Sequence, residues 1–113
     1  MDTALLTMRQ VSAKLNIPSR KIRNYCTWGL LKHVRHNKVG RRIFTVEQLD
    51  QIALLYGLQK AGFNRAQLKQ YARTQDPTLQ KSLLATQKRQ LWQELENIKS
   101  SIDFIERQEE LLG

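Results

Sequence analysis

Ten lysines and arginines lie between Asp2 and Glu47, with no carboxylate among them. They are Arg9, Lys14, Arg20, Lys21, Arg23, Lys32, Arg35, Lys38, Arg41 and Arg42. An ordinary solvated surface intersperses both signs. A one-signed stretch suits a polyanion instead, because each phosphate that a base neutralises releases condensed counterions. The net charge of +9 over 113 residues hides a division. Residues 1–76 hold fourteen bases and four acids, a net of +10, and residues 77–113 hold five and six, a net of −1. The chemistry on offer is phosphate binding in the first two thirds of the chain, with nucleic acid as the expected partner.

Those bases need elements to hold them. Thr7 with Gln10 makes a capping-box pattern, followed by Met8, Val11 and Leu15 at helical spacing. The spacing predicts a first helix that stops near Asn16, ahead of Pro18. Ser19 reads as the N-cap of a second helix from Arg20 to about Trp28, closed by a left-handed Gly29. Two short helices across Asn16-Ile17-Pro18-Ser19 suit a helix-turn-helix. Leu30 to Phe44 reads as two extended runs about a polar loop containing Gly40, a basic hairpin or wing, with an irregular connector as the alternative. Thr45 with Gln48 and Asn64 with Gln67 repeat the capping signature for two more helices, the first ended by Gly62. Asp76-Pro77 opens a last helix. From Thr78 to Leu112 there is neither Gly nor Pro.

In that last helix Leu84, Lys88, Leu91, Leu95, Ile98, Ile102, Ile105, Glu109 and Leu112 fall on a 4-3-4-3 ladder. A sustained heptad seam indicates a coiled coil; the alternative is an amphipathic helix packed on its own domain. A parallel homodimer would face Lys88 with Lys88 and Glu109 with Glu109. An antiparallel one meets Lys88 with Glu109, Leu95 with Ile102 and Leu91 with Ile105, and sets Ile98 beside its own symmetry mate. The expected arrangement is therefore an antiparallel homodimer centred near Ile98, with the Leu and Ile rungs supplying the affinity. Trp92 and Phe104 lie beside the seam.

Taken in order, these motifs resemble the mercury-resistance regulator (MerR) family of bacterial transcription factors across roughly residues 5–112. Leu6-Thr7-Met8 echoes the family's Tyr-Thr-Ile-like start. Arg23-Asn24-Tyr25 stands where the family has an Arg-Tyr-Tyr box, and Gly29-Leu30-Leu31 matches its Gly-Leu-Leu. Gly40-Arg41-Arg42-Ile43-Phe44 corresponds to its Gly-Tyr-Arg-x-Tyr wing, and Leu58-Gln59-Lys60-Ala61-Gly62-Phe63 to its Leu-x-x-Leu-Gly-Phe element. The chain departs from the pattern where Asn24 and Arg41 replace tyrosines and where Pro18 stands for a Ser N-cap. The resemblance implies a short form without an effector domain. It also implies an inverted-repeat operator that the dimer distorts, reaching RNA polymerase indirectly through promoter DNA.

The expected fold is mainly α: a winged helix-turn-helix domain over 1–76, then an antiparallel coiled-coil dimerisation helix over 77–113. In a helix-turn-helix the second helix leads into the major groove with its N-terminal residues. Arg20, Lys21 and Asn24 are then the candidates for base edges, since Arg reads guanine and Asn reads adenine through paired hydrogen bonds. Arg23 and Tyr25 are assigned to phosphates, and Arg41 and Arg42 to the flanking backbone or minor groove. Thr7 presents a helix N-terminus to a phosphate, and Lys38 is a further candidate. No metal, cofactor or enzymatic activity is expected: one cysteine, Cys26, makes no multi-cysteine cage, and no Gly-rich phosphate loop is present. No apolar run reaches the ~18 residues of a membrane span and no signal-peptide core opens the chain, so a cytoplasmic, nucleoid-associated protein is expected. The rival readings are an architectural, excisionase-like DNA-binding protein and a coiled-coil protein-interaction module.

Overall fold

The computed structural model describes residues 5–113, so Asp2 lies outside the described residues. The elements run β1 (Leu6–Thr7), α1 (Met8–Leu15), α2 (Ser19–Thr27), β2 (Arg35–His36), β3 (Arg42–Phe44), α3 (Val46–Lys60), α4 (Arg65–Arg73) and α5 (Pro77–Leu112). The chain divides into two compact units, Met1–Gln75 and Asp76–Gly113.

All three capping boxes form. The Thr7, Thr45 and Asn64 side chains accept from the backbone N–H of Gln10, Gln48 and Gln67, whose amide oxygens accept in return from the cap backbone. Each box satisfies two donors that a helix start would otherwise orphan. Gln48 does more. It is buried, its Oε1 accepts from Thr45 N–H at 2.9 Å, and its Nε2 donates to the Lys32 carbonyl at 2.9 Å. One amide thus caps α3 and ties down the segment that leads into the hairpin.

The stops are also local. Gly29 has φ +72°; its N–H donates to Cys26 O and Leu30 N–H donates to Tyr25 O, the paired bonds of a Schellman closure. Gly62, at φ +104°, repeats this with Gln59 O, while Phe63 N–H reaches Leu58 O. At α1 the left-handed residue is Asn16 itself, at φ 55°. That residue, rather than Pro18 two positions on, ends the helix. The expected cap of α2 is corrected as well. Ser19 is already helical and Pro18 occupies the N-cap without a side-chain hydrogen bond; its carbonyl accepts from Lys21 and Ile22 N–H instead.

The expected hairpin is present, with Arg35 opposite Ile43 and His36 opposite Arg42. The sheet has a third strand beyond the expected hairpin: β1 pairs antiparallel with β3, Leu6 opposite Phe44 and Thr7 opposite Ile43, giving the order β1-β3-β2. The core of the first unit gathers Val11 from α1, Ile22 and Tyr25 from α2, Phe44 from β3, Leu49, Ile52, Leu55 and Leu58 from α3, and Leu68 from α4. Ile17 in the turn and Leu30, Leu31 and Phe63 in the connections complete it.

The second unit is one helix of 36 residues, ~54 Å long at 1.5 Å per residue. Asp76 caps it by accepting from Thr78 N–H at 2.9 Å, and Pro77 takes the first turn.

Burial pushes the Tyr25 phenol up to about 12, with Tyr56 adding to the shift. Its folded value is raised, so its contribution to stability is complete below pH ~10 and is lost as pH rises from about 10 to 12. Urea unfolding across that range should show the decline, and Tyr25→Phe should flatten it. Near pH 7 the same substitution should cost about 1 kcal/mol, the worth of the hydrogen bond that its hydroxyl donates to Gln59 Oε1. An unchanged alkaline profile would refute the assignment.

Candidate nucleic-acid interface

Packing of α2 divides its side chains by polarity. Ile22 and Tyr25 point into the core, and Tyr25 is 0% exposed. Arg20 and Arg23 are exposed, and Lys21 and Asn24 are half-buried. A helix with one face anchored presents the other, so the anchoring pair aims the bases outward.

Beside that helix the first unit is concave. An open depression of about 1070 Å³ lies between the start of α1, α2 and the hairpin. Its lining includes Thr7, Arg9, Ser19, Arg23, Arg41 and Arg42. Four guanidinium groups on three elements thus face one hollow. A concavity lined by one sign of charge focuses the field and raises the local concentration of anions.

The predicted residues divide accordingly. Thr7, Arg23, Arg41 and Arg42 meet in the hollow, whereas Arg20, Lys21, Asn24 and Lys38 lie outside its lining. The Thr7 side chain and its own N–H are both engaged with Gln10, so neither is free to meet a further ligand. Tyr25 stands apart from the hollow. Its ring is in the core and its hydroxyl donates to Gln59 Oε1 at 2.7 Å, on α3. Arg9 joins the site, in the first turn of α1 on the same wall as Thr7. The capped helix start was legible; that the hairpin folds across it was not.

The hairpin tip is held by its own side chain. Asn37 Oδ1 accepts from Val39 N–H at 3.1 Å and from Arg41 N–H at 3.0 Å. Asn37 N–H donates to Arg41 O, and Gly40, at φ +81°, donates back to Asn37 O. The left-handed φ at Gly40 suits a residue without Cβ.

Two more bases are placed by rings. Arg65, at the start of α4, lies 5.0 Å from the Trp28 ring centre, and Trp28 meets Tyr25 edge-on at 6.3 Å. Lys60 lies 5.4 Å from the Tyr56 ring centre. Among the described residues no group of three His, Cys, Asp or Glu is placed to hold a metal ion.

Cys26 is half-buried on α2. Burial pushes its thiol up, against the opposing pull of the Arg42 guanidinium and a backbone hydrogen bond. Alkylation should therefore require more alkaline solution than an unhindered thiol does. Arg42→Gln removes a cation that favours the thiolate, so it should raise the apparent pKa of the alkylation rate still further. A downward shift would show that Arg42 does not act on this thiol.

Comparison with known proteins places this geometry. No curated protein matches the chain in sequence. HiNmlR, a MerR family regulator lacking the sensor domain, has been solved bound to promoter DNA; it is 24% identical, with a TM-score of 0.73 over 88% of this chain and 80% of that one. A MerR family transcriptional regulator from Bacillus thuringiensis is 23% identical, with a TM-score of 0.68 over 93% of this chain and 96% of that one. Another, from Bacillus cereus, is 17% identical, with a TM-score of 0.75 over 92% and 79%. Likeness at these identities speaks to fold. The family itself is shown by sequence: the MerR helix-turn-helix family of regulatory proteins matches over residues 6–75, and the chain belongs to that family.

Proposed function

We propose that this chain is a sequence-specific DNA-binding regulator of transcription that grips an inverted-repeat promoter operator as a homodimer and distorts it. The observation that carries the reading is the hollow in which Arg9, Arg23, Arg41 and Arg42 converge beside the outward face of α2. HiNmlR, of similar fold, binds promoter DNA.

In this reading residues 1–76 form the DNA-reading lobe. Arg20, Lys21 and Asn24 approach base edges in the major groove. Arg9 and Arg23 hold phosphates with the N-terminus of α1, and Arg41, Arg42 and Lys38 follow the flanking backbone or minor groove. Residues 77–113 join two such lobes. Leu84, Leu91, Leu95, Ile98, Ile102, Ile105 and Leu112 are between 38% and 91% exposed in the single chain. Burying such a side chain yields about 1.5–3 kcal/mol, so a row of them favours a partner helix. The antiparallel register sets Lys88 by Glu109 and Ile98 by its symmetry mate. Distortion of the operator centre requires no base contact there, and polymerase would sense it through the promoter. The working place of such a regulator is the nucleoid in the cytoplasm.

Selection of bound sequences from random duplexes tests the reading directly: an inverted repeat supports it, and no enriched site overturns it. Truncation before Pro77 should abolish dimerisation, as read by sizing, and most operator affinity. Arg20→Ala should relax preference at one base by ~1–3 kcal/mol, whereas Arg42→Ala should weaken all sequences alike and lower the salt slope by about one.

A further inference from the structure

The hollow holds one titratable side chain that the operator contacts leave unused. His36 is exposed at the end of β2 and lines the hollow with Arg9, Arg23, Arg41 and Arg42. Strand pairing sets its place. His36 lies opposite Arg42 across an antiparallel pair, so the two side chains share a face, with Cβ atoms ~5 Å apart. Arg35, one residue earlier, lies opposite Ile43, and neither of these lines the hollow. His33 precedes β2 and does not line it either.

The charges around His36 have one sign. Arg41 and Arg42 come from its own hairpin, Arg9 from α1 and Arg23 from α2. Among the described residues no carboxylate lines the hollow, and the His36 imidazole forms no hydrogen bond or ion pair. Histidine is the side chain that changes charge between pH 5 and 8. As a cation His36 would face only other cations, and like charges directly opposite on a strand pair repel. An anion in the hollow removes that conflict, because an imidazolium gains a charge-assisted hydrogen bond from a phosphate.

We propose that His36 binds a DNA phosphate as its imidazolium, alongside Arg42, so that each lobe takes up a proton when it binds. This inference rests on the reading of the hollow as a DNA-binding surface. The Cys26 thiol, pushed up by burial, stays protonated across the same pH range and takes no part. The sign of the linkage is fixed: a proton held more tightly in the complex strengthens the complex as pH falls. A contact to the phosphate backbone acts on every sequence alike.

Fluorescence anisotropy with a mixed-sequence DNA duplex, at pH 6 and pH 8 and constant ionic strength, is the test. The wild-type chain should bind roughly three- to tenfold more tightly at pH 6, with a salt slope steeper by about one per lobe. His36→Gln should abolish both changes and keep the affinity seen at pH 8. His36→Lys should bind tightly at both pH values, and His33→Gln should behave as wild type. Both histidines are exposed, so these variants leave the core intact. A pH dependence that is absent from the wild type, survives in His36→Gln or is lost in His33→Gln overturns the inference and leaves DNA binding standing. A wild-type chain that binds the duplex at neither pH overturns both.

Discussion

The attachment of α2 to α3 is the constraint from which the rest of the first unit follows. Ile22 and Tyr25 enter a core in which α3 supplies Leu49, Ile52, Leu55 and Leu58, and the Tyr25 hydroxyl finds Gln59 on α3 itself. A buried phenol needs such a partner, because an unpaired hydroxyl in the core would cost more than the hydrogen bond yields. With this face committed, the azimuth of α2 is set and its guanidinium groups project away from the core. Trp28 extends the anchoring by meeting Tyr25 edge-on, and the Arg65 guanidinium lies 5.0 Å from the centre of its ring. Charge and packing are thus two faces of one short helix, and neither is arranged without the other.

The second unit poses the opposite problem. Leu84, Leu91, Leu95, Ile98, Ile102, Ile105 and Leu112 recur at a spacing that makes a stripe, yet they are exposed in the single chain. Helical propensity in water is weak, and most of the stability of such elements comes from packing an amphipathic face. Its charges nearly cancel, whereas the first unit is strongly basic. A near-neutral helix with an apolar stripe is thus joined to a cationic lobe, and the two units present different chemistry.

Local signals were legible in the sequence because local chemistry decides them. A Thr or Asn followed three residues later by Gln satisfies donors within one turn, so the starts of α1, α3 and α4 could be read directly. The same holds for the glycines that close α2 and α3 and for Asp76-Pro77. What failed depended on distant partners. Nothing in Leu6-Thr7 alternates enough to mark a strand; β3 makes it one. Tyr25 sits in a motif that suggested phosphate, but its rotation about the α2 axis depends on where α3 lies. Arg9 belongs to the hollow only because the hairpin folds back over α1. Ser19 has the chemistry of a cap, yet the turn through Asn16 in the left-handed region gives that position to Pro18.

The Asn37 side chain has a thermodynamic consequence for the hairpin tip. A loop of exposed, charged residues ordinarily samples many conformations, and a ligand that orders it forfeits part of its binding free energy to that loss of entropy. Here one carboxamide oxygen already collects the N–H groups of Val39 and Arg41, and Gly40 closes the turn onto Asn37. The backbone carrying Arg41 and Arg42 is therefore preorganised. What the two guanidinium groups gain on meeting an anion is offset mainly by the freezing of their own side chains.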